Sequence, residues 1–333
     1  MLKNLTAEAQ CKPMVRSRYR FGRNAPPYLE IGQVVCGKYH VEKIIGGGGF
    51  GQIYRVIDER SGSIFAMKIE SQHHEPARLV LEHKVLINLQ GTPHIPYFFA
   101  CGSFDNFNYI VMELLGRNLS ELRRQQRKHR LSVATVMRVG KQCCSALKAI
   151  HDIGYIHRDV KPSNLCVGLR ERCRMIHLID FGIARQYRHQ SGIVRKERQY
   201  AGFRGTMRYV SLTVHERREQ GPVDDLWSLF YSLVELIEGS LPWKNLPEAD
   251  TIALCKQKTS FEQLGRLLPV EMEKFFQYLQ TLLYHHFPDY TLIVDILQSC
   301  EPAGTTGDDP YDWEQNANVR KTRRSTDARH SSA

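Results

Sequence analysis

The sequence lacks the features that would place the chain in a membrane or in a secretory compartment. Its 333 residues contain no apolar run long enough to span a bilayer, and the first residues are polar and basic, without the apolar core of a secretory signal. The nine cysteines are odd in number and show no C-x-x-C spacing, which argues against a disulfide framework and a zinc site. We therefore expect a cytoplasmic protein with reduced thiols and no membrane span.

Positive charge is in excess but unevenly distributed. The net charge is +11, and residues 185–218 carry nine Lys or Arg against two acidic residues. Residues 1–30 and 316–333 contribute +4 each. These stretches lack interleaved aromatic motifs, so we predict no specific nucleic-acid partner, although a nucleic-acid binder fits the total charge. The basic run at 320–325 is interpreted as part of a solvated tail, with nuclear entry as the alternative.

A polar stretch whose side chains could take part in a reaction lies at residues 157–164, His-Arg-Asp-Val-Lys-Pro-Ser-Asn. It is followed by Ile-Asp-Phe-Gly at 179–182. Phosphoryl transfer needs positioning and charge neutralisation. Asp159 can accept a hydrogen bond from an attacking hydroxyl, and Lys161 can reach the oxygens of the transferred group. Asn164 and Asp180 offer the oxygen ligands that Mg²⁺ prefers. Alone, such residues are ordinary loop residues, but the motifs upstream of them favour a site for ATP and Mg²⁺.

The first upstream motif is a glycine-rich turn between two predicted strands. Glycine lets the backbone turn tightly and brings amide groups close to phosphate oxygens. A plain hairpin or linker is the alternative, and a dinucleotide-binding turn would need a helix next, whereas residues 53–57 continue as a strand. We predict that nucleotide is contacted by Ile45, Gly46, Gly47, Gly48, Gly49, Phe50, Gly51 and Ile53.

Two charged residues and an apolar strand lie between the glycine-rich turn and the polar stretch at 157–164. Lys68 ends the apolar run that begins at residue 63 and is interpreted as the phosphate-binding lysine rather than a surface charge. Glu82 lies on a helical pattern where it can aim Lys68, with a solvent-facing glutamate as the alternative. The strand at 109–115 then leads to Gly116 and predicts a connector whose backbone binds adenine. Met112 would lie behind the purine, or would simply fill the core.

These motifs together resemble a eukaryotic protein kinase from residue 32 to residue 314. A closer resemblance is to the tau-tubulin kinase branch of the casein kinase I group. The segments that carry it are residues 116–119, 161–164, 185–187, 201–206, 224–231 and 311–314. Where most protein kinases have Ala-Pro-Glu, this chain has Ser-Leu-Thr at 211–213, which is similar to the casein kinase I group.

The resemblance implies an α+β, bilobal protein-kinase fold with a small, mainly antiparallel β N-lobe that holds one helix and a larger, mainly helical C-lobe. The expected divisions are a basic extension at 1–31, an N-lobe at 32–115, a C-lobe at 116–314 and a disordered basic tail at 315–333. The adenine site would include Ala66, Met112, Glu113, Leu115 and Cys166. Cys166 is alternatively inert packing, as buried cysteines usually are. Asp225 would anchor the catalytic loop.

The expected reaction is transfer of the γ-phosphoryl group of ATP to Ser or Thr hydroxyls of protein substrates, by a monomer. Because residues 185–218 are basic, acidic substrates are favoured, and Arg204 and Arg208 are the predicted contacts. The alternative is that these arginines only hold the loop in shape. Pro247 stands where the family places a lysine, which puts recognition of primed phosphopeptides in doubt. Cytoskeletal substrates are implied by resemblance alone, and a weakly catalytic scaffold is the competing hypothesis.

Overall fold

The computed structural model describes residues 26–48, 51–73 and 78–314. Most of the predicted N-terminal extension and the whole predicted tail lie outside these ranges, as do Gly49 and Phe50 of the predicted nucleotide loop. Among the described residues, no helix is both long and apolar enough to cross a membrane.

The N-terminal half of the fold is an antiparallel sheet with one helix beside it. The strands are β1 (Val34–Val35), β2 (Tyr39–Gly48), β3 (Gly51–Asp58), β4 (Ile64–Ser71), β5 (Phe98–Phe104) and β6 (Phe107–Glu113). They are ordered β1-β2-β3-β4-β6-β5, and helix α1 (Arg78–Asn88) packs against β5 and β6. In this order β6 pairs with β4, so the last residues of β6, after which the chain leaves the sheet, lie next to the first residues of β4.

Strict alternation of side chains along β3 gives the sheet one buried face. Tyr54 and Val56 are fully buried there and pack with Met67 and Val111 of the neighbouring strands. Leu29, which precedes the predicted lobe boundary at residue 32, joins the same cluster, and its amide donates to the Tyr54 hydroxyl at 3.1 Å. The boundary at 32 remains a prediction, although the sheet is already covered by residues before it.

The C-terminal half is mainly helical. Its helices are α2 (Leu119–Arg124), α3 (Val133–Asp152), α4 (Leu212–His215), α5 (Pro222–Glu238), α6 (Ala249–Lys258), α7 (Phe261–Leu264), α8 (Met272–Thr281) and α9 (Tyr290–Ser299). The central helix α3 packs against α5 and α9. It begins after Ser132, whose side chain accepts a hydrogen bond from the Thr135 amide, and Gly154 follows its end with a φ of +81°. Cys143 and Cys144 are buried on this helix.

Short strand pairs connect these helices and carry the polar motifs. Strand β7 (Tyr155–Ile156) pairs with β10 (Arg185–Gln186), and β8 (Leu165–Val167) pairs with β9 (Ile176–Leu178). The Gly116 amide after β6 donates to the carbonyl of Val167 at 2.8 Å, which joins the sheet to the helical half. The architecture therefore confirms the predicted α+β fold with a small β lobe and a larger helical lobe.

Candidate active site

The loop between β7 and β8 is held from below by one buried carboxylate. Asp225, in the first turn of α5 and 1% exposed, accepts hydrogen bonds from the amides of His157 and Arg158, both at 2.7 Å. Its Oδ2 also contacts His151 Nε2 at 2.9 Å. Burial alone would raise the pKa of Asp225, but these hydrogen bonds and nearby histidines leave it below its usual value. The predicted anchoring role of Asp225 is confirmed by this geometry.

Three polar side chains surround the Asp159 carboxylate: Lys161 and Asn164 come from the same loop, and Thr206 comes from farther along the chain. Lys161 Nζ lies 2.6 Å from Asp159 Oδ2, and the Thr206 hydroxyl donates to Asp159 Oδ1 at 2.7 Å. Lys161 Nζ also reaches Thr206 Oγ1 at 3.0 Å. The Asn164 side-chain amide donates to the Asp159 carbonyl at 2.9 Å. Asp159 is therefore held by neighbours that can also bind the hydroxyl or the charge of an incoming group.

A second cluster joins the sheet, α1 and the segment after β9. Lys68 Nζ lies 2.5 Å from Glu82 Oε2 and 2.9 Å from Asp180 Oδ1. Burial opposes the charge on Lys68, but the two carboxylates outweigh it and raise the pKa of the lysine above its ordinary value. Burial raises the pKa of Glu82 to about 7 against the attraction of Lys68. Asp180 keeps a lowered pKa because Lys68 outweighs the burial of its carboxylate.

The two clusters are neighbours because β8 and β9 form a hairpin. Leu165 pairs with Leu178, and the Ile179 amide donates to the Asn164 carbonyl at 3.0 Å. Asn164 therefore precedes one strand of the hairpin and Asp180 follows the other. Phe181, 1% exposed, packs edge-on against His157 at a ring distance of 5.4 Å, which fixes this segment on the loop that carries Asp159.

The residues present fit a divalent cation bound with a nucleotide. Because the side-chain nitrogen of Asn164 is engaged with Asp159, its oxygen is the atom left to act as a ligand beside the Asp180 carboxylate. No group of three or more His, Cys, Asp or Glu side chains in the described ranges could hold a metal ion by itself. A cation here would take its remaining ligands from phosphate oxygens and water, as Mg²⁺ commonly does.

The glycine-rich turn is a β-hairpin above this site. Gly48 pairs with Gly51 at its tip, and Ile53 pairs with both Gly46 and Lys68. Gly51 has a φ of +118°, and a Cβ there would lie 2.1 Å from the Ile69 carbonyl oxygen, so only glycine fits. The strand that follows the turn confirms the predicted hairpin and excludes the helix that a dinucleotide-binding turn requires.

The predicted adenine contacts surround the link between the lobes. Ala66 of β4 pairs with Met112 of β6, and Glu113 ends that strand. Cys166 of β8 is buried, and burial raises the pKa of its thiol to about 12. A thiol with that pKa remains protonated and unreactive at neutral pH, which favours packing over redox chemistry. Its place under the link is compatible with either predicted role.

The predicted substrate arginines lie on the loop that contains Thr206, but in different settings. Arg204 is exposed, and its guanidinium donates to the neighbouring Phe203 carbonyl at 2.9 Å. Arg208 forms an ion pair with Glu235 at 3.1 Å, and its carbonyl accepts from Trp243 Nε1 at 2.8 Å. Arg204 is therefore open to an incoming anion, whereas Arg208 also helps to hold the loop in shape.

Several arginines beside the loop that carries Asp159 cluster around the carboxylate of Glu219. Glu219, whose side chain is 2% exposed, pairs with Arg185 at 3.1 Å and with Arg198. Burial and the positive charges of Arg185, Arg204 and Arg198 lower the pKa of Arg158 to about 10. This side of the site therefore carries a positive potential that Glu219 only partly neutralises.

Three residues of this region were missed as functional candidates from sequence. In the sequence, Thr206 stands out only as the last residue of the segment 201–206 that carries the family resemblance, yet its hydroxyl bridges Asp159 and Lys161. Its place in the Gly-Thr pair at 205–206 was the available signal. Glu219 and Lys256 gave no local signal, because their partners lie 21 or more residues away along the chain.

The comparisons with known proteins agree with this geometry. Residues 39–285 match the model of the protein kinase domain. A Dictyostelium discoideum protein provisionally named a serine/threonine-protein kinase is 42% identical over 289 residues, covering 86% of this chain but only 58% of the relative.

Two Caenorhabditis elegans proteins are similar over most of their length. One, provisionally named a casein kinase I, is 37% identical with 86% of each chain covered. The other, provisionally named a serine/threonine-protein kinase, is 36% identical with 86% of this chain and 84% of its own covered. The chain therefore belongs to the protein kinase domain family, with serine/threonine kinases among its relatives.

Proposed function

We propose that this protein is an active serine/threonine kinase of the casein kinase I group, closest to the tau-tubulin kinases, and that it uses ATP with Mg²⁺. One observation carries the proposal: Lys68, Glu82 and Asp180 converge at 2.5 and 2.9 Å beside the loop that holds Asp159, Lys161 and Asn164. A scaffold without catalysis has no need to bring this set together.

Each polar residue has a role that follows from its contacts. Asp159 orients the acceptor hydroxyl and takes its proton, and Lys161 stabilises charge on the transferring group. Lys68 binds the nucleotide phosphates, and Glu82 aims it. Bound through Asn164 and Asp180, the cation would neutralise phosphate charge. Thr206 ties Asp159 to Lys161, so this hydroxyl helps to keep the pair aligned.

Protein substrates with acidic surroundings fit the charge beside the site. Arg204 is exposed on the loop that carries Thr206, and the arginines around Glu219 add positive potential. Arg208 would contribute only if a substrate competes with Glu235 for it. Cytoskeletal proteins remain the proposed substrate class by resemblance to the tau-tubulin kinases.

The group assignment rests on the segment that replaces Ala-Pro-Glu. The hydroxyls of Ser211 and Thr213 both donate to Asp224 Oδ1 at 2.5 Å, which ties the segment to the first turn of α5. The relative provisionally named a casein kinase I supports the same assignment. We further propose that the protein acts as a monomer in the cytoplasm, with nuclear entry as an alternative.

The test is transfer of labelled phosphate from ATP to casein and to an acidic tubulin peptide. Asp180→Asn should lower the rate by about 100-fold or more, because it removes the negative charge that contacts Lys68 and would bind the cation. Asp295→Asn, at an exposed position of α9, is the matched control and should behave as wild type. Wild-type protein that binds ATP yet transfers no more phosphate than Asp180→Asn would favour the scaffold hypothesis.

A further inference from the structure

A buried lysine lies under the loop that follows Thr206. Lys256 of α6 is 5% exposed, and its ammonium donates to the carbonyls of Met207 at 2.8 Å and Val210 at 2.5 Å. The third N–H group of the ammonium can donate to His215 Nε2, which lies 3.3 Å from the lysine nitrogen. An ammonium has three donors, so Lys256 is fully engaged with this loop and the helix after it.

The surroundings of Lys256 are neutral. The rings of Tyr231 and Trp243 lie 5.2 and 5.3 Å from its nitrogen, and no carboxylate within the described ranges forms an ion pair with it. Burial lowers the pKa of Lys256 to about 7. Burial and the charge of Lys256 lower the pKa of His215 to about 4, so this histidine is neutral and can accept a hydrogen bond. A buried cation without a counter-charge is costly, and apolar residues would fill the space more cheaply.

The loop held by Lys256 forms one wall of a cavity beside the catalytic residues. The cavity measures about 430 Å³ and opens next to Lys161 and Thr206. Met207 of the loop, Trp243 and Ile252 of α6 also line it. Lys161 and Thr206 both bind Asp159, so the cavity lies directly beside the position that an acceptor hydroxyl at Asp159 would take.

The segment after the loop is held differently. Ser211 and Thr213 bind Asp224 through their hydroxyls, but those contacts leave the carbonyls of Met207 and Val210 to another donor. Lys256 supplies that donor from α6, which also contributes Ile252 to the cavity wall. Helix α6 and the loop are therefore fixed to each other by one side chain.

We propose that Lys256 is a positioning residue for the peptide substrate: its ammonium fixes the loop at residues 207–210 and so shapes the cavity that receives the residue next to the acceptor hydroxyl. The inference rests on the proposed kinase function. Lys256 touches neither nucleotide nor the reacting atoms, so its effect must appear in the binding of the peptide and not in the binding of ATP.

The main experiment compares Lys256→Met, which keeps length and removes the donors, with Lys258→Met, at an exposed position of the same helix. We expect Lys256→Met to raise the KM for an acidic peptide about 10-fold or more while changing the KM for ATP less than about 2-fold. Lys258→Met should match wild type in both constants.

A pH comparison tests the same role with Lys256→Arg, which keeps a charged donor. The titratable groups that face Lys256 are His215 of α4, Tyr231 of α5 and Cys255 of α6. His215 titrates far below neutrality, and burial raises the pKa of Tyr231, so neither changes charge between pH 6 and 8.5. In that range the peptide KM should rise for wild type and stay flat for Lys256→Arg.

The outcomes separate the two proposals. If wild-type protein phosphorylates no peptide, the proposed function fails. If it phosphorylates peptide but Lys256→Met leaves the peptide KM unchanged, or raises the ATP KM equally, the positioning role is overturned. Should Lys256→Met fail to fold, identical pH profiles of wild type and Lys256→Arg would overturn it as well.

Discussion

At the scale of single residues, the site works by placing charges where water cannot screen them. Lys68 is 6% exposed and lies between two carboxylates, of which Glu82 is 3% exposed. Burial raises the pKa of Glu82, whereas Lys68 keeps the pKa of Asp180 low. The two carboxylates that contact Lys68 therefore have pKa values shifted in opposite directions, and Asp180 is the one that stays ionised and can bind a cation.

The raised pKa of Glu82 predicts how stability depends on pH. A carboxyl with a pKa of about 7 in the folded state, against 4.5 when unfolded, stabilises the fold fully below pH 4.5 and loses that contribution as the pH rises through 7. Glu82→Gln cannot titrate. The free energy of unfolding of wild type minus that of Glu82→Gln should therefore fall between pH 5 and pH 8 in urea denaturation. Asp180 has a lowered pKa, so its own effect lies below pH 3.8, outside this range.

The matched control for this experiment is Glu59→Gln, at an exposed position of the same lobe. Its difference from wild type should stay constant between the two pH values. A constant difference for Glu82→Gln as well would show that Glu82 is already ionised throughout this range.

At the scale of elements, the β2–β3 hairpin depends on one glycine more than on the others. Gly51 combines a positive φ with backbone contact to β4, while a Cβ at Gly48 would meet nothing within 4 Å. We expect Gly51→Ala to lower the free energy of unfolding by about 1–3 kcal/mol, since both the backbone and β4 must shift. Gly48→Ala should change it by less than about 1 kcal/mol. Thermal unfolding of the two variants checks this, and equal losses would contradict it.

At the scale of the whole molecule, one arginine of the helical lobe is attached to the sheet. Arg172, between β8 and β9, pairs with Glu113 at 2.5 Å and lies 4.4 Å from the centre of the Tyr97 ring. The Tyr97 amide also donates to the Glu113 carboxylate at 3.2 Å. These contacts lie behind the link between the lobes, so they set how the two lobes meet around the predicted nucleotide site.

Breaking that attachment should weaken nucleotide binding. Arg172→Ala is expected to raise the KM for ATP about 2- to 5-fold, which corresponds to about 0.4–1 kcal/mol for a partly exposed ion pair. The KM for peptide should change less, because the partners of Arg172 are Glu113, Met175 and Tyr97, and none of these lines the cavity beside Thr206. Steady-state kinetics with Glu171→Ala, an exposed neighbour, as control would decide it; an unchanged ATP KM would show that the pair is only a surface contact.

Local patterns were sufficient for several elements of this fold. Glycine spacing with β-rich flanks predicted the β2–β3 hairpin, and the apolar run at 109–115 predicted strand β6. Lys68 and Asp180 are 112 residues apart, yet both could be assigned to one site, because each belongs to a short motif that is recognisable from its own residues. Arg208 shows the limit: its partner Glu235 is 27 residues away, and no local pattern indicates an ion pair between them.

The sequence by itself determined the order of the chemical groups, the glycine-rich turn between two strands and the sign of charge around the site, since these depend on residue type and near neighbours. Only the tertiary structure decided that burial raises the pKa of Glu82, that burial raises the pKa of the Cys166 thiol and that Lys256 donates to the carbonyls of Met207 and Val210. Burial and distant hydrogen-bond partners set those properties, and both exist only once the chain is packed.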